Sequence, residues 1–539
     1  MVAVDLTQMS TAWNQFSAAR IATVAAVTVA LLALPAVSAA EQPAGGAMPK
    51  GFLWGTAIAG FQSEMGRGRD TDPTSDWWQW THDRGNIASK TVSGDQPENG
   101  PGFWSKYAAD IKLARQGLGA GLFRMGLEWS RLFPKQPTNL PAGAATSPEM
   151  LRALDRQADP KAVSRYREIL KSIRANNMSP FVTLNHFTLP GWIHDPLAVH
   201  AALAGRDPNA ALPPIQRAGW LDSATVTEFE RYSAWAAWRF GDLVDRWAPI
   251  NEPMVVTTNG YVNIPGVVSG NFPPGVYSFT AAIAAIRNLE AANSVSYVAV
   301  KKLDPSSKVG LVQNMIAFTP TDPSSAADVA ATEHADYLFN RILLNASVRG
   351  DFDANADGVI SPAERAVHGR RADFVGVNYY FRGRATALGS SITPQIPVLD
   401  FLPATSYRWQ RAPTAAPCPT VCSDFGSEIF PAGFRQVLKT AGSYKLPVIV
   451  TESGIADAKD SLRPTYLRDH FRQMRAAITS KEANVVGWIG WSLTDNFEWS
   501  AGYAPKFGLY SFNAKTLVRT PRSASVKLVE RAMTTNRVP

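Results

Sequence analysis

Cysteine is almost missing: two among 539 residues, too few for a miniature scaffold built on disulfides or for a cysteine-rich metal cluster. Charge is sparse too, at 18% Asp, Glu, Lys and Arg against 45% hydrophobic residues, which excludes a charge-extended disordered chain. The net charge of +8 is not gathered into a Lys/Arg run or a nucleic-acid motif, so nucleic acid is not an expected partner. Beyond residue 40 no apolar run is long enough to span a membrane. No internal repeat recurs, which argues against solenoids and propellers.

What is present is a globular chain with 16 Trp and 25 Phe, enough large apolar surface for an extensive core. The first 40 residues read separately: Arg20 precedes the apolar stretch 21–34, and small residues follow up to Ala39. This is the pattern of a signal peptide cut near Ala39, and it predicts a secreted or cell-envelope protein. Left uncleaved, the same segment would be a membrane anchor. A Pro/Gly/Ala-rich spacer at 41–50 leads into the remaining chain. In an exported protein, Cys418 and Cys422 are expected to form a local disulfide, with a free-thiol pair as the alternative.

From residue 51 to about 530, short apolar runs alternate with longer amphipathic stretches, the βα pattern of a parallel sheet. Eight runs stand out, at 52–59, 122–128, 180–185, 247–251, 309–314, 374–380, 447–452 and 485–492. Eight strands predict a single α/β domain, a (β/α)8 TIM barrel. Between them, Val163, Tyr166, Ile169, Leu170 and Ile173 recur at helical spacing. Insertions at about 132–160, 196–218 and 385–424 are too long for ordinary connections, so they are expected to be long βα loops that shape the mouth of a cleft.

Two of the predicted strands run into glutamates, Glu252 in Asn251-Glu252-Pro253 and Glu452 in Thr451-Glu452-Ser453-Gly454. The C-terminal ends of barrel strands face the active site. A carboxylate at the end of an apolar strand is costly unless paired or hydrogen-bonded. Two of them facing one another suit glycosidic bond cleavage, which needs a protonated acid and an ionised carboxylate.

With Glu128-Trp129-Ser130-Arg131-Leu132-Phe133-Pro134, Leu184-Asn185-His186-Phe187, Val377-Asn378-Tyr379-Tyr380 and the run from Trp491 to Trp499, these motifs form an ordered set. In that order the chain resembles glycoside hydrolase family 1, most of all its archaeal-type β-glycosidases. The resemblance implies an exo-acting, β-glucosidase-like hydrolase of terminal β-linked sugars that retains configuration through a covalent glycosyl-enzyme, with no cofactor for catalysis. It implies Glu252 as acid/base and Glu452 as nucleophile, with Arg124, Asn378 and Tyr380 as support. Gln62, His186, Asn251, Glu498 and Trp499 would bind sugar hydroxyls, and Trp491 would stack on the ring. Ser453, Ser427 and Pro505 depart from common family residues near the cleft. The charge of Glu498 is expected to repel a 6-phosphosugar. A transglycosidase of the same mechanism and a non-catalytic glycan-binding relative are the alternatives, and the sequence leaves the oligomeric state open.

One signal lies outside that resemblance. From Asp353 to Glu364 the chain follows an EF-hand loop, with Asp353, Asn355, Asp357 and Ser361 as oxygen ligands, the Val359 carbonyl at position 7 and Glu364 at position 12. Gly358 takes the sharp turn. Calcium is the expected guest, in a structural role, and an acidic surface turn is the alternative reading.

Overall fold

A computed structural model describes residues 43–263, 271–367, 369–387, 401–404, 418 and 420–539. The expected signal peptide lies outside them. One compact unit runs Gln42–Pro539.

Eight parallel strands close into a barrel: β1 (Leu53–Ala57), β2 (Leu122–Gly126), β3 (Ser179–Asn185), β4 (Arg246–Ile250), β5 (Lys308–Asn314), β6 (Phe374–Tyr379), β7 (Val448–Ser453) and β8 (Val485–Gly490). Neighbours follow chain order, as in Leu122 of β2 opposite Ser179 of β3, and closure comes from β8 against β1, with Trp488 opposite Trp54. All eight predicted strands are present and the (β/α)8 fold is as expected.

The strands are near-continuously buried because helices cover one face and barrel contents the other. Alternation decides which side chain goes where. Leu122 packs with Phe181, Ala248, Val312, Phe374, Ile449 and Ile489 in one buried cluster. The ring of Phe181 meets that of Phe374 edge-on at 5.6 Å. Two residues further along β2 and β3, on the same face, come Arg124 and Thr183, where Arg124 Nε donates to Thr183 Oγ1 at 3.1 Å. An apolar floor therefore lies beneath a polar layer, toward the C-terminal ends of the strands.

The outer helices have local causes. Helix α1 (Pro160–Ala175) starts where Asp159 accepts from the backbone N–H groups of Lys161 and Ala162 with Pro160 in the first turn, and it buries Val163, Tyr166, Ile169, Leu170 and Ile173. That is the expected stripe. Helix α2 (Pro253–Tyr261) follows Glu252 directly, and α3 (Phe279–Leu303) is the longest, capped by Ser278. Toward the C-terminus, α4 (Ser523–Thr535) leads to a strand, Arg537–Val538, that pairs antiparallel with Gly46–Ala47. The 41–50 segment is therefore not a simple spacer, and the folded body extends past both ends of the expected 51–530.

Of the long insertions, the first contains a helix at Pro148–Asp155 and the second a helix at Pro196–Leu203. Much of the third lies outside the described residues. Cys418 and Cys422 are joined in a disulfide.

Candidate active site

The polar layer of the barrel opens into a cavity of about 260 Å³ lined by Gln62, His186, Glu252, Tyr380, Glu452, Trp491, Glu498 and Trp499, among others. These residues come from the C-terminal ends of different strands, or just beyond them. The cavity is assembled from strand ends that lie far apart in the chain.

Glu252 sits at the junction of β4 and α2 with φ of +50°, a left-handed conformation that is costly for a residue with a Cβ. Its backbone N–H donates to the Val312 carbonyl at 2.8 Å, which ties the junction to β5. The carboxyl is held by two amides: Asn378 Nδ2 at 2.6 Å and Asn314 Nδ2 at 3.1 Å both donate to Oε1. With both donors on one oxygen, Oε2 is left to carry a proton.

Glu452, in β7, has a different environment. Arg124 Nη1 donates to its Oε1 at 2.6 Å, and the Tyr380 hydroxyl donates to its Oε2 at 2.6 Å. Arg124 is itself buried and fixed on every side, donating to Thr183 Oγ1, the Thr451 carbonyl and Asn251 Oδ1. Next to the nucleophile candidate, Gly454 has a structural reason to be glycine, since a Cβ there would lie 1.9 Å from the Trp491 carbonyl oxygen.

Burial raises both carboxyls, but unequally in kind. For Glu252, burial and then the charge of Glu452 push the pKa up to about 8 against the pull of the two amides. Burial also raises Glu452, and there the Arg124 guanidinium and the Tyr380 hydroxyl oppose it. Only Glu452 has a cation in contact, so the shared proton resides on Glu252 and the charge on Glu452.

Arg124 also orders Asn251 and, through it, His186. Having donors only, it requires Asn251 to present Oδ1, which turns Nδ2 toward His186 Nε2 at 3.2 Å. His186 Nε2 must then accept, so the ring is neutral with its proton on Nδ1. Burial and the Arg124 charge lower its pKa in the same sense. Its ring lies nearly parallel to Trp491 and to Trp499, at 5.7 and 5.9 Å.

Gln62 donates to the Phe497 carbonyl at 2.9 Å and to Glu498 Oε2 at 3.3 Å, while its buried Oε1 meets no partner among the described residues. A hydroxyl on a bound molecule would satisfy that oxygen. Burial and the charge of Glu452 push Glu498 up to about 8.

Three participants lie outside the expected set of site residues. Asn314 closes β5 and supplies the second amide to Glu252, Thr451 donates to Asn378 Oδ1 at 2.7 Å, and Thr183 supports Arg124. A strand-terminal Asn is the only hint of the first. A fourth, Glu128, is buried behind the cavity and accepts from the Phe61 N–H at 2.9 Å and the Thr188 hydroxyl at 2.6 Å. It thereby ties the turn that carries Gln62 to the turn that carries His186.

The side chains expected to ligate calcium hydrogen-bond within their own turn and to Tyr337. Asp353 accepts from the Tyr337 hydroxyl and from the N–H groups of Asp357 and Gly358, and Asn355 donates to Asp357. The Val359 N–H donates to Asp357, and Glu364 accepts from the Ala354 N–H and from both the N–H and the hydroxyl of Ser361. The carboxylates thus serve the turn's own donors. No group of three or more His, Cys, Asp or Glu side chains is placed to hold a metal among the described residues.

Known proteins share both the sequence and the fold. The family model of glycosyl hydrolase family 1 matches residues 45–198 and 211–537. A β-galactosidase of Pyrococcus woesei is 37% identical over 516 residues, covering 91% of this chain and 98% of that one. A β-galactosidase of Saccharolobus solfataricus is 36% identical over 502 residues, covering 90% and 95%. Among solved structures, the β-glycosidase of Thermosphaera aggregans superposes with a TM-score of 0.79 at 32% identity, over 92% of this chain and 98% of that one.

Proposed function

The chain belongs to glycosyl hydrolase family 1 and is a retaining β-glycosidase, and from that premise we propose that Glu252 is its acid/base and Glu452 its nucleophile. One observation carries the assignment: of the three carboxyls that line the cavity, Glu252, Glu452 and Glu498, only Glu452 is paired with a guanidinium among the described residues.

In the first step a Glu452 oxygen bonds to the anomeric carbon while the bond to the leaving oxygen breaks and takes the Glu252 proton. Arg124 and Tyr380 keep Glu452 ionised and aimed. Esterification removes the charge that helped to raise Glu252, so its pKa falls and it becomes a base. It then takes a proton from water, whose oxygen displaces Glu452 with a second inversion. Gln62, His186, Asn251, Glu498 and Trp499 hold the sugar hydroxyls, and Trp491 offers a ring face, as pyranose recognition demands. Turnover requires no cofactor.

Export belongs to the same proposal, supported by the Arg-led apolar segment before Ala39 and by the Cys418–Cys422 disulfide. Calcium at 353–364 is proposed as a stabilising clip apart from catalysis, supported by the full EF-hand spacing.

The test is a panel of chromogenic β-glucoside, β-galactoside, β-mannoside and β-fucoside with the wild type and Glu452→Ala. The wild type is expected to turn over at least one, with a β-configured first product. Undiminished turnover by Glu452→Ala would remove the nucleophile assignment.

A further inference from the structure

If Glu252 delivers the proton to the leaving oxygen, it marks the side of the sugar from which the aglycone departs. Beyond Glu252 the cavity is lined by α2 and α3. It runs along α2, beginning immediately after Glu252, and reaches the opening turns of α3. Its walls there include Val255, Phe279, Ile283, Ile286, Phe318 and Phe339.

Polarity along the cavity is sharply divided. The carboxyl side chains that line it, among the described residues, are Glu252, Glu452 and Glu498, all at the sugar end, and no Lys or Arg lines it. Thr257, Thr258 and Asn259 are the polar side chains that α2 contributes. A second sugar placed against the apolar walls would give up water for hydroxyls that find few partners. A hydrocarbon placed there gains from leaving water and gives up nothing.

Resting on the glycosidase reading above, we propose that the leaving-group side of this cavity takes an apolar alcohol, so that the substrates are amphiphilic β-glycosides of long-chain or polycyclic alcohols rather than oligosaccharides. The acid at the junction of β4 and α2 and the apolar faces of α2 and α3 then form one device. The junction delivers the proton, and the two helices hold the group that receives it.

The experiment is a homologous series of n-alkyl β-glycosides from methyl to dodecyl, each below its micellar concentration, on a sugar that the panel shows to be accepted. The expected kcat/KM rises about three- to fourfold per methylene over the first several carbons and then levels. Ile283→Asn, whose side chain is only partly buried, is expected to flatten the rise while leaving the methyl glycoside unaffected. Should that variant not fold, inhibition of the wild type by 1-octanol, competitive with the glycoside, decides the same point. A flat series with the methyl glycoside still cleaved overturns the aglycone proposal and leaves the glycosidase reading standing. A disaccharide cleaved more efficiently than the octyl glycoside also overturns it. Failure to cleave any member, or any aryl glycoside, overturns the glycosidase reading itself.

Discussion

Replacing Arg124 with Met keeps most of the side-chain volume and removes one charge from the most enclosed part of the site. Arg124 Nη1 stands 2.6 Å from Glu452 Oε1, so the centres of charge are about 4 Å apart. At an effective dielectric constant of about 20 such a pair interacts by about 4 kcal/mol, equivalent to about 3 pH units. Burial already raises Glu452, and the Arg124 guanidinium is the strongest influence holding it down. Without the guanidinium the nucleophile is expected to hold a proton at neutral pH. The assay is the pH dependence of kcat/KM for a 2,4-dinitrophenyl β-glycoside, whose leaving group needs no acid. Its acidic limb reports the ionisation of the nucleophile. Arg124→Met should move that limb upward by about 2 to 3 units and lower kcat/KM by about 100- to 1000-fold at pH values below both limbs, with recovery at higher pH. Thr183→Val, which removes one partner of Arg124 but not its charge, should move the limb far less. An acidic limb left in place in a folded Arg124→Met protein would refute the electrostatic account of how Glu452 stays ionised.

Further expectations concern the other carboxyls. Glu252→Gln should slow cleavage of alkyl glycosides by about 100- to 10,000-fold while sparing the first step on dinitrophenyl glycosides, and added azide should yield a β-glycosyl azide; an α-azide would contradict retention. Burial raises Glu64 from 4.5 to about 7 and Glu128 and Glu290 from 4.5 to about 8. The folded state therefore keeps protons that the unfolded state releases. The stability they contribute is complete below about 4.5 and is lost as pH rises through 7 to 8. Thermal melts should show Tm falling from pH 6 to 9, and a rise over that range would contradict the shifts. Calcium is expected to raise Tm, and Asp353→Ala to abolish the rise; a Tm indifferent to both calcium and chelator ends the calcium proposal.

Features written in neighbouring residues were legible. Each barrel strand is a short apolar run bounded by turn residues, and α1 announces itself through Asp159, Pro160 and a 3.6-residue stripe. The paired terminal strands Gly46–Ala47 and Arg537–Val538 were not legible, because two-residue strands have no period to detect and their partners lie at opposite ends of the chain. The roles of Asn314 and Thr183 escaped for a related reason, and so did that of Glu128, although it opens one of the quoted motifs. An Asn, Thr or Glu has many ordinary uses, and its role appears only when a distant strand brings its partner within hydrogen-bonding range. The EF-hand spacing is a complete linear pattern, and its carboxylates accept from the loop's own N–H groups.

The inventory could be read along the chain: eight strands, a glutamate at the end of two of them, and an Asn, Arg or Tyr near the ends of others. Those follow from local periodicity and from the cost of placing polar groups beside apolar runs. Folding in three dimensions settled the inequality of the two glutamates and the polarity of the cavity before them. A proton's location depends on which charges and dipoles lie within a few ångströms, and the chain sets those distances only when β2 brings Arg124 to Glu452, 328 residues away, and α2 and α3 line the exit beside Glu252.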